Sequence, residues 1–215
     1  MRKKPQQARS RQMVDTLIEA TARVISQRGL DATTTPAIAE AAGVSVGSLY
    51  QYFDGKEALI TALLDKLVAD LARLLDLQAE GSASLPLREM VRAAIGLTLA
   101  FMRSNEGLYL ELARNWHRLP VDHVADTLQA HILERSRMYF LQHQLDYPIR
   151  DLPVRLFIAY NSTLFTLMRL MSQDSNGVNP DAVVECLVDM ITGLLERGIT
   201  PGAAMGPAPG ASLPS

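Results

Sequence analysis

The sequence carries a single cysteine, Cys186, in 215 residues. That count excludes a disulfide framework and a multi-cysteine zinc site. Aromatic residues are only 6%. Val and Ile together number 23 against 58 Leu and Ala, so strand formers are scarce and an all-α chain is expected. Long apolar runs are missing as well. The longest charge-free stretch of the body, Leu156–Met168, is thirteen residues, and a membrane-spanning helix needs about 20. The basic start (Arg2, Lys3, Lys4) runs into Pro5-Gln6-Gln7 rather than an apolar segment, so no secretory signal is read and a cytoplasmic location is expected. Catalytic signatures are absent too: no GxSxG, no phosphate-binding glycine loop and no HExxH. The four histidines, at 117, 123, 131 and 143, include no i, i+4 pair, so neither a metal nor a cofactor is expected. The glycosylation sequon Asn161-Ser162-Thr163 reads as chance inside a helix, and Cys186 as a small buried apolar residue.

Charge is close to balanced, at −2 overall, but unevenly placed. Residues 1–60 carry +2 and residues 61–215 carry −4. The first twelve residues hold five basic groups (Arg2, Lys3, Lys4, Arg9, Arg11) and no acid, which fits either a flexible phosphate-binding arm or a solvated terminus. Between the prolines the apolar period is near 3.6. Val14, Leu17, Ile18, Thr21, Val24 and Ile25 share one face of a first helix that stops at Gly29. A long helix is predicted over residues 56–78, with Leu59, Leu63, Leu67, Leu71 and Leu74 along one side, and a loop over 79–84. Further helices are predicted near 86–102, 106–116, 121–144 and 153–172. A last one follows the cap-and-proline pair Asn179-Pro180 and runs to about Arg197. Residues 201–215, rich in Pro, Gly and Ala, read as a disordered tail.

Residues 35–53 hold the most specific pattern. Two short helices, 36–42 and 46–52, flank Gly43. Thr34 or Thr35 can cap the first, with Pro36 in its opening turn, and Ser45 can cap the second. Ala39 is small where the helices would touch, Gly43 tolerates a positive φ, and Ile38, Ala42, Val44, Leu49 and Phe53 can lock the crossing. This is a helix-turn-helix pattern, whose second helix enters the DNA major groove in proteins that use it to read sequence. The stretch from Ala32-Thr33-Thr34 through Ile38-Ala39-Glu40-Ala41-Ala42-Gly43-Val44-Ser45 and Gly47-Ser48-Leu49-Tyr50 to Tyr52-Phe53, Lys56-Glu57 and Leu59 resembles the N-terminal domain of TetR/AcrR repressors. About fifty residues, roughly 10–60, carry that resemblance.

The resemblance implies roles at matching positions. Tyr50 and Tyr52 would contact phosphates, Thr34, Thr35, Ser45 and Ser48 phosphates or base edges, and Val46 and Gly47 the groove floor. Gln51 would reach a base and Lys56 would clamp a phosphate. One departure stands out. Some members read guanine with a basic side chain where this chain has Pro36, and no Arg or Lys lies between Arg28 and Lys56. Bidentate arginine-to-guanine contact within the motif is therefore excluded, and base readout would lean on Gln51, Val46 and the Arg9/Arg11 arm.

The resemblance also implies domains: an arm over 1–12, the DNA-binding head over 13–55, and a ligand-binding and dimerising body over 56–200. Leu156–Met168 is apolar nearly all round, which calls for burial on most sides, and a second copy packed on the last two helices would provide it. The middle helices would line a cavity for a largely apolar effector. Its polar candidates are Asn105, Tyr109, Trp116, His117, Tyr160, Asn161 and Thr163. Its wall candidates are Phe101, Met102, Leu112, Met138, Phe157, Phe165 and Met168. Each of these residue types is more often ordinary core. Glu111, Arg114 and His117 fall near one helix face and read as a solvated or salt-bridged stripe. The expectation is a homodimeric repressor on a palindromic double-stranded operator. The rivals are a DNA-binding dimer regulated by a protein partner, betrayed by a solid body, and an all-helical enzyme with an incidental hairpin.

Overall fold

The computed structural model describes residues 4–81, 85–120, 122–142, 149–172 and 177–198. Among the described residues the regular structure is helical, without a β-strand. Helix α1 (Lys4–Arg28) presents two apolar stripes about 100° apart. Leu17, Ala20 and Val24 face the two short helices α2 (Thr35–Ala42) and α3 (Val46–Tyr50). Ile18 and Ile25 face the long helix α4 (Lys56–Gly81) and α6 (Glu106–Arg114). One helix therefore serves as a wall common to the N-terminal head and the larger body. Leu59 of α4 sits in the head's core, so packing crosses the boundary expected at residue 55/56.

The body adds α5 (Leu87–Arg103), α7 (Asp122–Gln142), α8 (Leu152–Ser172) and α9 (Pro180–Glu196), with a short 3₁₀ turn over Trp116–Arg118. Its main core joins α5, α8 and α9 through Ile95, Leu99, Met102, Leu167, Val188 and Ile191. Arg92 locks α5 to α9 with a bidentate pair to Glu185 at 2.7 and 2.6 Å. Helix α9 starts as the sequence suggests: the Asn179 side chain accepts from the Asp181 N–H at 2.9 Å, and Pro180 occupies the first turn.

Several boundaries differ from the sequence reading. Helix α1 begins at Lys4, so residues 4–12 are helical rather than a separate arm; Gln, Ala and Arg propagate a helix well, and Pro5 lies in the first turn where its missing N–H is not needed. Arg9 and Arg11 are exposed along it, and Arg2 and Lys3 lie outside the described residues. Helix α4 continues to Gly81, because Ala79 and Glu80 are good helix formers with no proline to stop them. The second motif helix ends at Tyr50, two residues early. The expected tail, 201–215, lies outside the described residues.

Candidate nucleic-acid interface and ligand cavity

The turn between α2 and α3 is built by backbone geometry. Gly43 has φ 70° and ψ 29°, the left-handed region that only glycine enters without strain. The Gly43 N–H donates to the Glu40 carbonyl at 3.1 Å and the Val44 N–H to the Ala39 carbonyl at 3.0 Å, the paired bonds of a Schellman stop. Arg23 of α1 donates to the Ala41 carbonyl at 2.9 Å and satisfies another helix-end acceptor. Thr34 caps α2 and Ser45 caps α3, each hydroxyl accepting from a backbone N–H three residues on, at 3.3 and 3.1 Å. Beneath the turn Ile38 and Leu49 are fully buried and Ala39 nearly so. Small Ala39 lets the helices approach, and Leu49 anchors α3 by its inner face.

That anchoring turns the other face outwards. Tyr50 is 54% exposed and Tyr52 37% exposed, unusual for tyrosines flanking a buried leucine. Thr34, Ser45, Gly47 and Gln51 are exposed, and Thr35, Val46 and Ser48 half-buried at its edge. The Tyr50 hydroxyl lies 3.3 Å from the Thr35 hydroxyl, which ties the end of α3 to the start of α2. Nine of the ten expected DNA contacts are thus exposed or half-buried on and around α2–α3. The tenth, Lys56, is placed differently: its ammonium donates to the Leu30 carbonyl at 2.7 Å, across to the turn after α1. It has two further N–H groups to offer.

The Leu30 peptide is held from both sides. Its carbonyl takes Lys56 of α4, and its N–H donates to the Glu111 carboxylate of α6 at 2.9 Å. The Glu111 carboxylate also accepts from the Asn115 side chain at 2.9 Å. A side chain on Gly29 (φ 80°) would press on Glu111, with its Cβ 3.3 Å from the carboxylate. Arg118 adds a 2.6 Å ion pair to Asp31, which holds that carboxyl below its ordinary value. The sequence reading missed this clamp and took Glu111 for surface. A contact between residues 81 positions apart leaves no periodic signal.

Behind the clamp lies a cavity of about 560 Å³, within the usual range for small-molecule sites. Phe101, Met102, Tyr109, Trp116, Tyr160 and Met168 all line it, as do Leu112, Met138 and Thr163. Asn105, His117 and Asn161 do not. Asn105 is spent capping α6, accepting from the Leu108 N–H at 3.3 Å. His117 is exposed in the 3₁₀ turn. Asn161 donates to the Phe157 carbonyl at 2.9 Å on the outer side of α8. Phe157 and Phe165 are also off the wall, 54% and 51% exposed on that outer side. The sequence reading missed the α4 wall, Leu64, Leu67, Val68, Leu71 and Leu75, because a leucine stripe looks the same whether it meets a helix or a void. Burial pushes the Tyr160 phenol up to about 12.

Cys186 proves exposed rather than buried. It lies one turn from exposed Met190 on the outer side of α9. On α8, Val154, Phe157, Ile158 and Phe165 are exposed at helical spacing and form an apolar stripe. Among the described residues no helix is long and apolar enough to cross a membrane.

Residues 17–63 match the family model described as bacterial regulatory proteins, tetR family. The transcriptional repressor KstR2 of Rhodococcus jostii is 44% identical over 55 residues, 26% of this chain and 27% of that protein. The nucleoid occlusion factor SlmA of Haemophilus ducreyi is 31% identical over 108 residues, 50% of this chain and 51% of that protein. The transcriptional regulator TtgR of Pseudomonas putida is 47% identical over 51 residues, 24% of each chain. The chain therefore spans between a quarter and a half of the length of these curated relatives. KstR2 and TtgR are named as transcriptional regulators and SlmA as a nucleoid occlusion factor, none as an enzyme, and the all-helical enzyme reading loses its support. A crystal structure of a TetR-family regulator from Mesorhizobium loti superposes with a TM-score of 0.67 at 16% identity, over 88% of this chain and 98% of that one. The fatty acid degradation regulator FadR of Bacillus halodurans gives 0.58 at 20% identity, over 84% and 95%. At such identities the likeness establishes the fold. Residues 17–63 are thus matched in sequence to the tetR-family regulatory proteins, and the chain as a whole shares the fold of the TetR-family structures.

Proposed function

We propose that the chain is a homodimeric, cytoplasmic transcriptional repressor that leaves a palindromic operator when a small, largely apolar effector enters the cavity. The observation that carries the reading is the outward face of α2–α3, where Tyr50 stays 54% exposed over a fully buried Leu49. Tyr50, Tyr52, Thr34, Thr35, Ser45 and Ser48 supply hydroxyls for phosphates and base edges. Gly47 and Val46 let the backbone approach the groove floor, and Gln51 reaches a base. The α8 stripe with Met190 and Cys186 of α9 is the face for a second copy. Two-fold pairing there would set two α3 helices about 34 Å apart, one turn of DNA.

Helix α6 links cavity to head. Tyr109, Leu112 and Ala113 line the cavity from it, and Trp116 from the 3₁₀ turn that follows, while Glu111 on the same helix holds Leu30. A ligand that shifts α6 would move the turn before α2 and change the spacing of the heads. Operator and effector then oppose each other through one coupling free energy, ordinarily about 1–3 kcal/mol. The 560 Å³ cavity favours a small-molecule regulator over a protein partner, for which a solid body would suffice.

The test is operator binding by fluorescence anisotropy on fragments of the DNA flanking the gene, at several salt concentrations. Tyr50→Ala with Gln51→Ala should lower affinity at least tenfold with helix content and dimerisation intact. Unchanged affinity would refute the assignment of this face. Lys56 is a poorer probe than Tyr50, since its loss also frees Leu30.

A further inference from the structure

We infer that the cavity takes an uncharged, elongated apolar molecule bearing one oxygen that accepts a hydrogen bond from Tyr109, and that it disfavours carboxylates. The inference rests on the effector reading above and specifies its ligand class.

Three observations carry it. The first is the Tyr109 hydroxyl. It is buried on the cavity wall, and among the described residues it is the buried side-chain polar atom with no hydrogen-bond partner. Phe101 packs edge-on against its ring at 5.8 Å, which limits where the hydroxyl can turn. An unpaired buried hydroxyl is costly, and a ligand oxygen accepting from it removes that cost. Burial, and secondarily the Asp70 carboxylate, keep the phenol protonated well above its ordinary value. It is therefore a donor, and it lies in a negative field that opposes an anion beside it.

The second observation is the charge along the wall. Glu80, His131 and Arg135 are the charged or imidazole-bearing side chains that line the cavity among the described residues. Arg135 is already paired with Asp76, which also takes His131 at 2.8 Å. Glu80 and Glu134 add their charge around the same guanidinium. Three carboxylates surround the one arginine, so that end does not offer an uncompensated cation to a ligand carboxylate. The third observation is shape. The α4 wall runs from Leu64 to Glu80, about 24 Å at 1.5 Å per residue, and is leucine and valine over most of that length. Asp70, whose field reaches Tyr109, lies six residues before Asp76. The hydroxyl and the ion-pair end are therefore separated along the groove, and an apolar body would lie between.

The experiment uses the full-length dimer with 1,6-diphenylhexatriene, an oxygen-free fluorescent hydrocarbon, as reporter. 2-Dodecanone and dodecanoate serve as matched competitors, on the wild-type protein and Tyr109→Phe. The ketone should displace the reporter at a concentration at least tenfold lower than dodecanoate does. Tyr109→Phe should weaken the ketone about five- to tenfold while reporter affinity holds or rises. The variant keeps the ring and removes the unpaired hydroxyl, so its melting temperature should not fall. Dodecanoate competing as well as the ketone, or a ketone affinity untouched by Tyr109→Phe, would overturn the ligand class while leaving the cavity a binding site. A reporter that binds neither protein would overturn the effector reading itself, and this inference with it.

Discussion

Two glycines of the motif should respond in opposite directions to the same substitution. Gly43 sits at φ 70°, with nothing within 4 Å of where a Cβ would stand. Gly43→Ala therefore meets no steric neighbour, and its cost is the left-handed backbone alone. That cost is about 1–2 kcal/mol. Reduced freedom of the unfolded chain returns roughly 0.4–1 kcal/mol. The net is destabilisation of about 1 kcal/mol, or a fall in melting temperature of about 2–4 °C for a chain of this size. The bonds that shape the turn come from the backbone and remain, so operator affinity should stay within twofold. Gly47 lies in the first turn of α3 at ordinary φ, and only the Ser45 hydroxyl stands near its Cβ position, at 3.9 Å. Gly47→Ala should stabilise by up to about 0.5–1 kcal/mol, because alanine loses less entropy in a helix. Its methyl would nevertheless stand on the exposed surface assigned to the groove, and operator affinity should drop at least tenfold. Thermal unfolding followed by circular dichroism at 222 nm gives the first pair of values, and anisotropy at fixed salt gives the second. Gly43→Ala raising the melting temperature would refute the backbone argument. Gly47→Ala leaving affinity untouched would refute the groove assignment.

Glu111→Ala removes the acceptor for the Leu30 N–H and should cost about 1–2 kcal/mol; operator affinity should also lose most of its dependence on effector, as titrations with and without ligand would show. Phe157→Glu places a charge in the α8 stripe, and sedimentation should find monomers with native helix content; intact dimers would remove that stripe from the interface. The Asp76 carboxyl is held below its ordinary 3.8, chiefly by its hydrogen bond to Arg135. Its stabilisation is therefore present above 3.8 and lost as pH falls through the lower folded value. Acid unfolding of the wild type should be steeper in that range than that of Asp76→Asn.

The head was legible from sequence because its determinants are local. A cap, a proline, a glycine that must take positive φ and apolar residues at helical spacing all lie within some twenty positions, and each acts on the backbone next to it. The same locality made the buried stripes of α1 and the capped start of α9 readable. Local rules failed where a residue's fate depends on what stands opposite. The leucines of α4 are equally apolar whether they meet a core or a cavity wall. Phe157 and Phe165 have the composition of a cavity lining, yet the rotation of α8 against α5 and α9 turns them outwards. Glu111 looked like a solvated charge until folding brought the Leu30 N–H to it from 81 residues away. Composition and periodicity decided that there would be helices and which face of each would seek cover. Packing alone decided which cover each face found, because that depends on how helices distant in sequence cross.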